Sequence, residues 1–192
     1  QGSWVRFDGY TITAFLTKHG IPSLGYILEE DPRPGRFNRE QAIGLGVPPG
    51  PLFGRLQRGE IITLGTGDDI REIRPEQVMG VARPGRKIVY TGDTRAIHMS
   101  IREIAHDADL LIHDATYDES EAERGAEFFH ATAAQAGEAA SVLNARTLVL
   151  VHTSSRYPDA QSHISDAKKK FSGSIIAPND LDVIEVGFRD EI

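Results

Sequence analysis

Cysteine is absent from all 192 residues. That excludes disulfides and thiolate metal sites and leaves His, Asp and Glu as the strong side-chain ligands. Long apolar runs are missing as well. No stretch approaches the ~18 residues that argue a membrane span, and the start carries neither a basic n-region nor an apolar h-region. The expectation is a cytoplasmic protein without membrane contact. Positive charge is in deficit, with 21 Lys and Arg against 28 Asp and Glu, a formal net of −7. A chain wrapped uniformly around nucleic acid needs the opposite balance, although a local basic patch is compatible with it. No internal repeat and no low-complexity stretch occurs. The chain opens on Gln1 rather than Met and reaches strand-like sequence almost at once, which reads as a piece of a longer protein. What is present is 40% hydrophobic and 26% charged residues, enough for one domain with a real core and an appendage.

From Trp4 to Glu30 apolar and polar residues alternate, with a Gly20-Ile21-Pro22-Ser23 turn, as in strands of one sheet. Asp31 to Arg86 changes character, with Pro32-Arg33-Pro34-Gly35 and Pro48-Pro49-Gly50-Pro51. Such a segment cannot be continuous core and reads as a projecting arm. Short helices are expected over Asn38–Leu45, capped by Asn38, and Pro51–Gln57, with a small strand pair between Glu60 and Ile73. After Arg86 strands and helices alternate. Strands are expected at Lys87–Thr91, Leu110–His113 and Thr147–Val151, with further ones near Ile175 and Val183. Helices are expected from about Met99 to His106, Thr132 to Leu143 and Gln161 to Phe171. Thr132-Ala133-Ala134-Gln135 suits a capping box, and Ala136, Ala139, Ala140 and Leu143 give one close-packing helix face. The alternation indicates α/β layers.

The chemistry concentrates at strand ends. Lys87-Ile88-Val89-Tyr90-Thr91-Gly92-Asp93 reads as a buried strand ending in a carboxylate, Thr147 to His152 as one ending in an imidazole, and Ile12 to His19 as another. His19, Asp93 and His152 are therefore candidate metal ligands delivered from a rigid sheet, the donor types that metal-assisted hydrolysis requires. Each has a plainer alternative. Asp93 could be a turn former, His152 a satisfied interior group, His19 an ordinary loop residue. His113-Asp114 closes another apolar strand, and His130 precedes a helix entrance. Asp114 could hold His130 in one tautomer, as a proton donor to a leaving oxygen needs, or could simply form a turn. Ser154, Arg156 and Tyr157 follow His152, and Arg156 offers either a phosphate fork or a surface ion-pair partner. His98, His106 and His163 carry no assigned role.

His19-Gly20-Ile21-Pro22-Ser23-Leu24-Gly25-Tyr26, the Pro48 to Leu56 stretch, Tyr90 to Arg95, His113 to Tyr117, His130 to Gln135 and His152 to Tyr157 occur in one order from about Val5 to Val186. Together they resemble ribonuclease Z, the tRNA 3′-processing endonucleases of the metallo-β-lactamase superfamily. The resemblance implies an α/β fold, the C-terminal half of an αββα sandwich with a protruding arm. Residues 1–30 and 87–192 would form the half-domain and 31–86 the exosite insertion. It further implies two zinc ions per intact site, with manganese or magnesium as alternatives, His19 on one metal, His152 on the other and Asp93 bridging. By the same analogy His130 with Asp114 protonates the leaving 3′ oxygen, and Ser154 and Arg156 lie by the substrate phosphate. Arg33, Arg36, Arg39, Arg55 and Arg58 would grip precursor tRNA, from which a zinc-activated water releases the 3′ trailer. Two departures accompany the likeness. Asp114 stands where the family usually has Glu, and the family's His-x-His-x-Asp-His motif, source of four further ligands, does not occur in these residues. The chain by itself is therefore expected to be inactive, and an uncovered half-sheet is expected to promote a homodimer. Two alternatives remain: a non-catalytic RNA-binding or partner module, and a metallo-hydrolase acting on another phosphodiester.

Overall fold

A computed structural model describes residues 2–95 and 101–189. These divide into two compact units, Gln1–Asp31 with Gly85–Ile192, and Pro32–Pro84.

The larger unit is built on a seven-stranded sheet in the order β1-β2-β3-β6-β7-β8-β9. Its strands are β1 (Trp4–Phe7), β2 (Tyr10–Leu16), β3 (Leu24–Glu30), β6 (Lys87–Tyr90), β7 (Leu110–Asp114), β8 (Thr147–Val151) and β9 (Ser174–Ile176). The first four pair antiparallel and the last four parallel. Because β2 and β6 both oppose β3, β2 runs in the direction of β6, β7 and β8. The C-terminal ends of these four strands therefore share one edge of the sheet, the edge at which open α/β sheets place ligands.

Helices α3 (Arg102–Ala105), α5 (Ala133–Val142) and α6 (Gln161–Lys168) contribute to a core in which Phe15, Ile27, Val89, Leu111, Leu148 and Leu150 point from successive strands. Alanine dominates the helical side, with Ala105, Ala136, Ala140 and Ala167 fully buried, so that helix backbones approach closely. At Gly137 an added Cβ would lie 2.6 Å from the Ala167 carbonyl oxygen, so glycine alone fits the α5–α6 crossing. Thr132 caps α5 through a reciprocal box with Gln135, in agreement with the sequence pattern. The opposite sheet face carries exposed apolar side chains: Leu16 opposite Leu24, and Tyr26 opposite Tyr90.

The smaller unit contains α1 (Arg39–Gly44), capped by the Asn38 side chain, α2 (Pro51–Gln57) and the hairpin of β4 (Ile62–Leu64) with β5 (Arg71–Ile73). Ala42, Val47, Leu56, Ile62, Ile73 and Val78 close into a core of their own. The two short helices, the Asn38 cap and the strand pair stand where the sequence placed them, and a small apolar cluster, which the sequence reading did not anticipate, binds them together.

Three other expectations are corrected. The helix Ala122–Phe128 (α4) has no strong apolar period in the sequence and was not anticipated. The helix expected to continue to Phe171 ends at Lys168. No strand forms near Val183, because the carbonyls of Val186 and Gly187 accept from the Arg86 and Arg146 guanidinium groups instead of a neighbouring strand. The expected start of a helix at Met99 lies outside the described residues.

Candidate metal centre

Asp93 and His152 lie just beyond strand ends, Asp114 closes β7, His19 lies in the loop after β2, and His130 comes from the segment between α4 and α5. Thr91-Gly92-Asp93 leaves β6 through a left-handed Gly92, where a Cβ would press to 3.0 Å from the Leu24 carbonyl oxygen. The Asp93 backbone carbonyl accepts from the Thr17 hydroxyl at 2.9 Å and the Ser23 hydroxyl at 3.4 Å, and Arg95 N–H donates to the Lys18 carbonyl at 2.8 Å. The loops after β2 and β6 are thus stitched together, which brings His19 and Asp93 to one place. His152, first residue after β8, has φ +64°. For a residue with a Cβ, this left-handed conformation costs about 1–2 kcal/mol and turns the imidazole back across the sheet edge.

Asp114, the last residue of β7, is fully buried. Its Oδ2 accepts from Thr94 N–H at 3.0 Å and from His130 Nδ1 at 2.7 Å, and its Oδ1 accepts from Thr116 N–H at 2.9 Å and the Thr116 hydroxyl at 2.7 Å. The turn-forming and histidine-holding readings of Asp114 are both realised, one on each oxygen. The shorter side chain reaches His130 without help. Donors on both oxygens offset the cost of burying the carboxylate. His130 arrives from the segment between α4 and α5, where Phe129 takes φ +61° and its carbonyl accepts from His19 Nδ1–H at 3.0 Å.

The three imidazoles form a row. His130 lies between His19 and His152, its ring centroid 4.9 Å from each, edge-on to the first and stacked on the second. His152 Nε2 is 3.9 Å from Asp93 Oδ1. Ligand atoms of Asp93, Asp114, His130 and His152 all lie within 4.8 Å of one another, close enough to surround one ion. His19 stands outside that four-residue group, beside His130. Asp114 is committed to its four donors, while the Asp93 carboxylate accepts no hydrogen bond among the described residues. An acceptor-only carboxylate without a donor, facing imidazole nitrogens and no thiolate, suits a divalent cation of the zinc, manganese or magnesium type.

Ser154 is held by its N–H to the Thr116 carbonyl at 3.1 Å. Arg156 is exposed, and no ion pair holds its guanidinium among the described residues. Arg33, Arg36, Arg39, Arg55 and Arg58 all belong to the smaller unit. There Arg36 and Arg39 line an open cavity of about 430 Å³ with Phe37, Asn38, Glu40, Gln41 and Met79. Arg55 and Arg58 share Glu60 at 2.8 and 3.1 Å. Their pull holds the Glu60 carboxyl below its usual range, the Arg55 bond contributing most. Sequence reasoning passed over Thr94 and Thr116, which hold Asp114. Neither belongs to a period or a charge cluster, and only the two-residue offset from Asp114 to Thr116 hinted at a side-chain turn.

Residues 63–153 match the family model of the Beta-lactamase superfamily domain. Over 191 residues the chain is 48% identical to ribonuclease Z of Methanosarcina acetivorans, covering 99% of this chain and 61% of that protein. It is 47% identical over 184 residues to ribonuclease Z of Halorubrum lacusprofundi, covering 95% and 58%. The chain is related to ribonuclease Z along nearly its whole length. Among solved structures, human tRNase Z, short form, superposes with a TM-score of 0.58 at 21% identity, covering 96% of this chain and 46% of that one. The metallo-beta-lactamase fold protein YhfI from Bacillus subtilis superposes with a TM-score of 0.56 at 17% identity, covering 90% of this chain and 48% of that one, so the fold is the metallo-β-lactamase fold. The chain spans about three fifths of the length of its ribonuclease Z relatives. In this metallo-β-lactamase fold the four strand ends that carry His19, Asp93, Asp114 and His152 lie on one edge. No helix among the described residues is long and apolar enough to cross a membrane.

Proposed function

We propose that this chain is the C-terminal part of a divalent-metal endoribonuclease that removes the 3′ trailer from precursor tRNA. The observation that carries the reading is the convergence of Asp93 with the His130 and His152 imidazoles, His19 standing beside His130, at one sheet edge of a chain related to ribonuclease Z. His19, Asp93 and His152 would hold the metal, zinc being the expected ion, with manganese or magnesium also compatible with imidazole and carboxylate donors. The remaining ligands come from a preceding segment of a longer polypeptide. That segment also covers the exposed face of Leu16, Leu24, Tyr26 and Tyr90. The bound ion supplies Lewis acidity, polarising the scissile phosphate and the attacking water.

The chain's own residues supply the rest. Asp114 holds the His130 Nδ1–H, so that His130 Nε2 faces outward and, once protonated, delivers a proton to the departing 3′ oxygen. Exposed Arg156 offers a planar fork to a phosphate oxygen, with Ser154 beside it. The Pro32–Pro84 unit holds eight arginines against six acidic residues, a local balance of +2 in a chain of net −7. Arg33, Arg36, Arg39, Arg55 and Arg58 are its candidate contacts to the RNA backbone, Arg55 and Arg58 sharing Glu60.

The test uses the chain as it stands, with zinc titrated calorimetrically and a 3′-extended tRNA offered as substrate. Weak zinc binding that Asp93→Asn or His152→Ala removes, with no cleavage, is expected. Tight binding of two zinc ions together with trailer release by this chain alone would refute the division of ligands between two segments.

A further inference from the structure

We infer that Thr116 is a positioning residue that fixes the tautomer of His152, so that one buried carboxylate, Asp114, orients both His130 and His152. The argument is one of proton counting. Thr116 Oγ1 lies 2.7 Å from Asp114 Oδ1 and 2.7 Å from His152 Nδ1, and a hydroxyl has a single proton to give. If that proton pointed at His152, the hydroxyl oxygen and the carboxylate oxygen would face each other at 2.7 Å with no hydrogen between them inside a buried site. The proton therefore lies on the line to Asp114, and the hydroxyl offers His152 only a lone pair. His152 Nδ1 must then carry its own hydrogen and donate it. The chain of donors runs His152 Nδ1–H to Thr116 Oγ1, and Thr116 O–H to Asp114 Oδ1, while His130 Nδ1–H goes to Asp114 Oδ2 directly.

The consequence falls on the other ring nitrogen. With Nδ1 protonated, His152 Nε2 is a bare lone pair, and it is this atom that lies 3.9 Å from Asp93 Oδ1. A ligand imidazole must present such a lone pair, and a hydrogen-bond acceptor behind it fixes ring orientation and raises basicity. Thr116 is itself held rigidly: its N–H donates to Asp114 Oδ1, its carbonyl accepts from Ser154 N–H, and it is 5% exposed. The left-handed backbone of His152 completes the geometry by bringing Nδ1 onto the hydroxyl. Two of the three imidazoles thus depend on one carboxylate, His130 by direct contact and His152 through Thr116.

This inference rests on the reading of His152 as a metal ligand only for its functional meaning; the tautomer itself is measurable without metal or RNA. The experiment is nitrogen-15 NMR of the imidazole rings in the metal-free 192-residue chain at alkaline pH, about two units above the ordinary imidazole value of about 6.5. His152 is assigned by its loss in His152→Ala. The expected result is a protonated Nδ1 and a bare Nε2 for His152 in the parent chain, kept in Thr116→Ser and lost in Thr116→Val, with His130 unchanged in all three. Zinc affinity of Thr116→Val should fall roughly 10–100-fold and recover in Thr116→Ser. A His152 that carries its hydrogen on Nε2 in the parent chain overturns the inference, whether or not the valine variant folds. So does a folded Thr116→Val chain whose His152 spectrum matches the parent. Failure of the endonuclease reading would appear in RNA cleavage and leave these spectra untouched.

Discussion

Replacing Asp114 by Asn keeps the shape of the side chain and removes one acceptor, which makes its cost calculable from the four donors it serves. Oδ2 accepts from Thr94 N–H and His130 Nδ1–H, and Oδ1 from Thr116 N–H and the Thr116 hydroxyl. An asparagine can turn its NH2 toward only one of these pairs. The Thr116 hydroxyl can rotate to accept and His130 can exchange tautomer, but neither backbone N–H can change role. Either orientation leaves one buried backbone donor facing another donor, worth about 1–3 kcal/mol, and the surviving bonds lose their charge assistance. Relief from burying a charge offsets part of this. The net destabilisation is about 2–4 kcal/mol, read in urea unfolding as a lower midpoint at unchanged slope. The His130 ring spectrum should change in the same variant. An Asp114→Asn chain within about 0.5 kcal/mol of the parent, with His130 undisturbed, would refute the account of Asp114 as the organising group.

Gly137→Ala places a methyl 2.6 Å from the Ala167 carbonyl oxygen and 3.2 Å from Lys170 Cβ, and should cost about 1–3 kcal/mol by forcing α5 from α6, read in the same urea titration. His113 and His163 are fully buried, and burial pushes both imidazoles below their usual value. Their contribution is fully present above the unfolded-state pKa near 6.5 and is lost as pH falls from there toward the folded-state values. Stability should decline by up to about 1.4 kcal/mol per pH unit per histidine, and a urea midpoint unchanged between about pH 7.5 and 5.5 would contradict it.

The strand-end placement of Asp93 and His152 was legible because buried parallel strands read as short apolar runs with the chemistry just after them, whereas β2, an antiparallel strand, was read from alternation and His19 lies three residues beyond it. The cap of α5 was legible from four residues. What escaped depends on contacts between distant segments. The stitch of Thr17 and Ser23 to Asp93 spans 76 and 70 residues, and the Thr116–His152 bond spans 36. His163 read as a polar helix residue, yet it is buried with its ring 4.5 Å from Tyr157. The core of the Pro32–Pro84 unit was obscured because its six buried side chains are spread over 37 positions, from Ala42 to Val78, with no period among them. Left-handed backbone at Phe129 and His152 has no signature in residues that are neither Gly nor Asn.

The most direct test of the central claim is trailer release by a chimera in which this chain replaces the matching segment of Methanosarcina acetivorans ribonuclease Z. The relative then supplies the part of its length that this chain does not cover. The account predicts that the folded chimera takes up divalent metal and cuts a 3′-extended tRNA, and that Asp93→Ala in this chain abolishes both. A folded, metal-loaded chimera that leaves the trailer in place, or one that cuts equally well without Asp93, would contradict it.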